Sequence, residues 1–225
     1  MDLSIKDVAN LLMLDKKEIE KLVKKKLIPS QTIQDKVRFN KQAIIEWALL
    51  GNMPLNLSDS TNFSEFRFDG ITSLLDEDSF YRDCQFTEST YIEEMVRMLR
   101  LREDVDRNTI TELLLSREKL MSTAIGNGIA LPHPRIPIIL GSEKPLISFF
   151  FPEKSLNIES VDGEPVHTII LIISQTIKQH LYLIAHLSFL LSREEFRSAL
   201  KNRCPGREIL DLISKLETQR NSLHQ

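Results

Sequence analysis

Fourteen residues constrain this chain more than any others: STAIGNGIALPHPR, positions 122–135. Two of the seven glycines, Gly126 and Gly128, fall inside the segment, and five of the nine prolines lie between Pro132 and Pro152. Gly126 and Gly128 license a backbone that a side chain would forbid. Ile129–Leu131 is short and apolar, as a strand would be. Pro134 pushes His133 toward extended geometry and Pro132 stiffens it from the other side. The segment therefore predicts a histidine presented rigidly at a strand end. Rigid presentation lowers the entropic cost of docking a partner, and histidine is the side chain that can be both neutral and nucleophilic near pH 7. Such a group suits attack on a phosphoryl donor carried by another protein. The competing reading is a loop histidine packed without chemistry. The Gly-Asn-Gly step superficially suggests a nucleotide loop, but it lacks the third glycine, the Walker lysine and the strand–loop–helix order.

The surroundings predict alternating strands and helices. TYIEEMVRMLR and ITELLLSREKLM read as helices, the second starting at Thr109 or Thr111. PLISFFF (145–151) and HTIILIIS (167–174) are near-continuous apolar runs, as expected of strands covered on both faces. DGEPV between them reads as a turn. His180 opens the helical HLYLIAHLSFLLSREEF, and CPGREILDLISKL closes the chain as a terminal helix. Strands alternating with helices predict an α/β fold.

Charge divides the chain. The whole carries a net charge of −3, but residues 1–52 hold ten Lys/Arg against seven Asp/Glu and are +3, leaving −6 on the remainder. Polar residues between Gly51 and Gly70 predict a linker over 53–69, separating a basic module (1–52) from a larger acidic domain (70–220). No apolar run approaches the roughly 18 residues that span a bilayer. The N-terminus lacks a signal peptide's apolar core. Cys84 and Cys204 lie 120 residues apart with no metal-ligand spacing. These features predict a cytoplasmic protein with no membrane insertion, no cofactor and no metal. A zinc site on His133, His180 and a carboxylate such as Asp162 would lack the usual paired-ligand motif.

In the basic module, Ser4 and Asp15 can cap two short helices. Ile19, Leu22, Val23 and Lys26 share one face of the second, whereas Lys17, Lys21, Lys24 and Lys25 point mostly away from it. Pro29 ends the helical stretch. QTIQDKVRFN predicts a two-stranded wing, and Asn40 can cap a third helix ending at Gly51. Together these make a winged helix-turn-helix. SIKDVANLL, the basic second helix and VRFNKQAIIEW resemble the excisionase-like and MerR-like DNA-binding modules. The chain reads MLDKK where that family carries glycine in the turn. The four lysines are then DNA-contact candidates, against a solvated face or a protein-docking module. Without Arg or Asn in the second helix to read bases, DNA contact would be phosphate-dominated and steeply salt-dependent.

Over 70–220, REKLMSTAIGNGIALPH, DGEPVHTIILIIS and QHLYLIAHLSFLL resemble, in order and spacing, the enzyme IIA domains of the mannitol/fructose and nitrogen-regulatory type. These are phosphocarriers of the bacterial phosphoenolpyruvate-dependent phosphotransferase system. The resemblance implies a mixed β-sheet flanked by helices on both sides and a phosphotransferase component acting through a phosphohistidine intermediate. It assigns phosphorylation to His133, an accompanying arginine to Arg117 and a supporting histidine to His180. Ser122 and Thr123 could donate to a phosphate oxygen or cap a turn. The implied donor is a phosphohistidine carrier protein, and the implied acceptor an enzyme IIB or a regulated protein. The chain departs from the common PHG in having Pro134, which has no N–H for a phosphate oxygen. Two roles follow, a phosphocarrier and a DNA-binding transcriptional regulator switched by phosphorylation.

Overall fold

The computed structural model describes residues 2–33, 36–50, 53, 55, 70–138 and 144–222. The chain divides into two compact units, 1–65 and 66–225. Nearly all of the expected linker, 53–69, lies outside the described residues.

The first unit contains β1 (Asp2–Leu3), α1 (Ile5–Leu12), α2 (Lys16–Lys24), β2 (Gln31–Ile33), β3 (Lys36–Asn40) and α3 (Lys41–Leu50). Ser4 caps α1 in a reciprocal box with Asp7, its own N–H donating to the Asp7 carboxylate at 2.8 Å. At the start of α2 the Glu18 carboxylate accepts from Asp15 N–H at 3.1 Å, and Asn40 Oδ1 accepts from Ala43 N–H at 3.1 Å in α3. Val8, Leu12, Ile19, Phe39, Ile44 and Ala48 close a common core. The wing has three strands rather than two, because β1 pairs with β3 in the order β1–β3–β2. Two residues of β1 show too little alternation to be read alone. The second helix also stops earlier than Pro29 implies. It ends at Lys24, and Lys26 turns left-handed at φ 55°, which takes it out of the apolar stripe.

Met13 follows α1 at φ 53°, ψ 38°, the left-handed conformation that glycine adopts at no steric cost. Its N–H still bonds back to α1, so the helix-turn-helix geometry is kept against side-chain strain. Met13 is 67% exposed, so little packing is at stake. We expect Met13→Gly to stabilise this unit by about 1 kcal/mol, read as a rise in its thermal midpoint. An unchanged or lower midpoint would contradict this account of the turn.

The second unit begins with two short 3₁₀ turns and continues through β4 (Phe80–Cys84), α4 (Tyr91–Met98), α5 (Arg107–Glu118), β5 (Ala124–Gly126) and β6 (Ile129–Ala130). It is completed by β7 (Leu146–Pro152), β8 (Thr168–Ile173), α6 (Ile177–Leu191), α7 (Glu194–Lys201) and α8 (Gly206–Ser222). The five strands form one mixed sheet in the order β4–β7–β8–β6–β5. β4 runs parallel to β7 and β6 parallel to β8, while β7/β8 and β5/β6 are antiparallel.

Every residue of β8 is buried, because both faces of the sheet are covered. Ile169, Leu171 and Ile173 join Phe150 of β7 in one cluster with Tyr91, Ile92, Met95 and Val96 of α4 and Ile110 and Leu114 of α5. On the opposite face Phe149, paired with Ile170, stacks on Phe80, against which α8 starts so closely that a Cβ on Gly206 would lie 3.0 Å from the ring. Burying one such side chain is worth about 1.5–3 kcal/mol.

Three boundaries differ from the sequence expectation, the first two through a side-chain cap. Asp106 starts α5, ahead of Thr109 or Thr111, by accepting from Asn108 N–H at 2.9 Å and Thr109 Oγ1 at 2.6 Å. Thr176 starts α6, its Oγ1 accepting from Gln179 N–H at 3.1 Å, so His180 lies in the first turn rather than opening the helix. The expected helix from 180 onward breaks at Ser192 into α6 and α7.

His186, on α6, is held neutral well below its ordinary pKa, to about 4, by burial and by the nearby Arg220 charge. Its Nδ1–H bonds the Tyr182 carbonyl at 2.9 Å. The denatured chain binds this proton near pH 6.5 and the native one only near 4. Stability present above pH 6.5 therefore falls as pH drops toward 4, by roughly 2–3 kcal/mol. Half-buried His167 is shifted the same way, chiefly by desolvation. Urea midpoints at pH 7.5 and 5 should differ, and His186→Gln should reduce the difference. An undiminished difference would assign it to other groups.

Candidate functional site

The segment around His133 takes its shape from a hairpin and from β8. Asn127 and Gly128 form the β5–β6 turn, both with positive φ (53° and 67°), the pattern of a type I′ hairpin. A Cβ on Gly128 would fall 2.3 Å from the His167 ring, so this glycine is required by a close approach as well as by φ. The Asp162 carboxylate pins the turn, accepting from Asn127 N–H at 2.6 Å and Glu164 N–H at 3.1 Å. Those backbone donors hold Asp162 below the ordinary carboxylate pKa. Asp162 is thus a turn clamp, and the carboxylate considered for a zinc site is occupied there.

Beyond β6 the Leu131 N–H still bonds the Thr123 carbonyl at 2.9 Å. The Pro132 carbonyl accepts from Ile172 N–H of β8 at 3.0 Å, while the proline ring brings no donor of its own to satisfy. His133 follows at once, three residues beyond the end of β6. Its ring and that of His180 are buried.

Two contacts define the His133 ring. Nδ1 lies 2.8 Å from the Leu131 carbonyl, and Arg117 Nε lies 3.2 Å from Nε2. A carbonyl can only accept and a guanidinium N–H can only donate. Nδ1 therefore carries the proton, and Nε2 keeps its lone pair, facing Arg117. Arg117, in the last turn of α5, is itself oriented by an Nη1–H bond to the Met121 carbonyl at 2.8 Å. The His180 ring lies 5.0 Å from that of His133, tilted by 44°. The fold thus brings together Arg117 of α5, His133 of the segment that follows β6 and His180 of α6.

Ser122 and Thr123 both make local hydrogen bonds beside the site. Ser122 Oγ accepts from Ala124 N–H at 3.2 Å. Thr123 Oγ1–H donates to the Glu118 carboxylate at 2.7 Å. Glu118 was not among the residues singled out from sequence; its place beside Arg117 was the available signal. In the first unit, Lys17, Lys21 and Lys24 lie on α2 and Lys25 at its C-terminal end, all exposed. The spacings of four and three place the first three on one face. Cys84 is buried, which pushes its thiol up to about 11 and keeps it protonated at neutral pH.

A mixed five-stranded sheet covered on both faces, preceded by a small three-helix winged unit, defines a two-part α/β protein. The model of the family described as "Phosphoenolpyruvate-dependent sugar phosphotransferase system, EIIA 2" matches residues 73–216, and that of a helix-turn-helix domain matches residues 3–49. The chain belongs to the EIIA 2 family of the phosphoenolpyruvate-dependent sugar phosphotransferase system. It is 33% identical over 149 residues to the PTS system fructose-specific EIIABC component of Bacillus subtilis, covering 64% of this chain and 23% of that protein. It is also 33% identical over 112 residues to the nitrogen regulatory protein of Pseudomonas aeruginosa, covering 49% of this chain and 71% of the relative. The crystal structure of nitrogen regulatory protein IIA-Ntr from Neisseria meningitidis shares the fold, with a TM-score of 0.56, 23% identity and coverage of 64% of this chain and 98% of that one. Among the described residues no helix is long and apolar enough to cross a membrane.

Proposed function

We propose that this protein is a phosphocarrier of the phosphotransferase system in which His133 Nε2 accepts phosphate from a phosphohistidine carrier protein, in a regulatory role. The observation carrying this reading is the ring's two contacts: a carbonyl on Nδ1–H and a guanidinium N–H on Nε2. In the step, the Nε2 lone pair forms a bond to phosphorus as the donor's N–P bond breaks, the electron pair returning to the donor nitrogen. The Nδ1 proton stays in place, and the Leu131 carbonyl stabilises the positive charge that develops on the ring. Arg117 meets the arriving phosphoryl oxygens, where a charge-assisted donor is strongest. His180 supports the opposite side. Because both rings are buried, the transfer includes an opening step that admits the donor.

The test uses the whole chain with phosphoenolpyruvate and the upstream phosphotransfer proteins. Acid-labile phosphate should appear on the peptide containing His133. Label on any other peptide, or none, overturns the assignment.

A second reading joins the first: the basic module contacts DNA, and phosphorylation biases that contact. The match of a helix-turn-helix model to residues 3–49 and the exposed Lys17, Lys21, Lys24 and Lys25 support it. Retardation of duplex DNA by the whole chain should fall steeply with salt and weaken when Lys21 and Lys24 are neutralised. Absence of retardation at low salt counts against DNA. Where the phosphocarrier reading concerns sugar uptake rather than regulation, an enzyme IIB would receive the phosphate, and incubation of the labelled chain with one distinguishes the two roles.

A further inference from the structure

The neighbour of Arg117 on α5 is tied into the same site by a separate route. Glu118 accepts from both donors of Thr123, the N–H at 3.1 and 3.2 Å to its two oxygens and Oγ1–H at 2.7 Å. The Thr123 carbonyl accepts from Leu131 N–H at 2.9 Å, and the Leu131 carbonyl takes the His133 Nδ1–H at 2.8 Å. An unbroken path of hydrogen bonds thus runs from the Glu118 carboxylate to the imidazole, through two adjacent backbone segments. Arg117 and Glu118 leave the last turn of α5 in different directions, one to Nε2 of the ring and the other to the support of its Nδ1 side.

We propose that Glu118, acting through Thr123, is a positioning residue that sets the orientation and tautomer of His133, so that Nε2 and not Nδ1 is offered to phosphate. The importance of this site for transfer rests on the phosphocarrier reading above; the hydrogen-bond path does not. A carboxylate suits the task because it is an acceptor only, matched here to two donors on one residue. Thr123 is buried, so its donors have no water to fall back on and the arrangement is held. The buried Tyr91 hydroxyl is held above its ordinary pKa by desolvation and by the adjacent Glu118, which places that carboxylate beside α4. Releasing Thr123 would free its strand to shift and with it the Leu131 carbonyl. Nδ1 would lose its fixed acceptor, and the ring could then carry its proton on either nitrogen.

The test compares Glu118→Ala, Thr123→Val and Thr123→Ser, each as the whole chain with 15N-labelled histidine. Potassium phosphoramidate serves as a small phosphoryl donor whose leaving group is ammonia. In the wild type, His133 should show one protonated nitrogen, Nδ1, and one unprotonated nitrogen, Nε2. Thr123→Ser keeps the hydroxyl and should keep those signals. Thr123→Val and Glu118→Ala should average the two nitrogens and slow phosphorylation about 10–100-fold, the scale of a misplacement near one ångström. Folded Thr123→Val protein with wild-type ring signals and rate would overturn the proposal. Should Glu118→Ala fail to fold, Thr123→Val against Thr123→Ser decides alone. Should wild-type His133 take no phosphate, the phosphocarrier reading falls, while the 15N comparison still settles whether Glu118 and Thr123 set the tautomer.

Discussion

His133→Ala should reduce phosphate incorporation from the phosphoenolpyruvate-driven donor system to background. The change removes Nε2, the nitrogen left unprotonated when Leu131 holds Nδ1–H and Arg117 donates to the other side of the ring. His180 is near, at 5.0 Å between ring centroids, but lies in the first turn of a helix and is not held by the same pair of contacts. The variant leaves the Leu131 carbonyl without its imidazole partner, a cost of about 1–3 kcal/mol. A His133→Gln variant keeps an amide donor in that space and separates lost chemistry from lost folding. Both should be inactive while folded by circular dichroism. Retained label in either would move the phosphoacceptor elsewhere.

Arg117→Ala should slow phosphorylation about 10²–10³-fold, the usual consequence of removing one fixed donor from a centre where negative charge accumulates. Arg117→Lys should recover little. The native guanidinium uses one nitrogen to hold the Met121 carbonyl and another to reach His133, a division that a single ammonium on a flexible stem cannot reproduce. Single-turnover labelling at saturating donor reads the chemical step, and a thermal melt checks that the fold survives. A normal rate in Arg117→Ala would leave this residue a role in packing α5 against the hairpin and none in transfer.

Local devices in this protein were legible because each is complete within a few residues. Ser4 with Asp7 closes its own cap, and Asp15 and Asn40 sit where helices begin. The runs at 145–151 and 167–174 became β7 and β8, since only strands covered on both faces are apolar at every position. By contrast β4, with the sequence FYRDC, has no alternation to reveal it. It is a strand because β7 lies beside it, 66 residues further on, and because Phe80 and Tyr81 stack on Phe149 and Phe150. Thr176 took the start of α6 from His180 for a related reason. Several residues there can cap, and the choice depends on where the chain leaves β8.

The same division runs through the site. By itself the sequence restricted the backbone of His133, because flanking prolines act whatever surrounds them, and it marked Gly126 and Gly128 as positions of unusual backbone, which the structure turned into a hairpin at Asn127-Gly128. Only the tertiary structure decided which ring nitrogen carries the proton. That choice depends on Arg117, 16 residues earlier and carried in by α5, and on a carbonyl whose position is set through Thr123 and Glu118. Sequence periodicity records which face of an element is buried, whereas the direction of a hydrogen bond depends on where separate elements bring their donors and acceptors together.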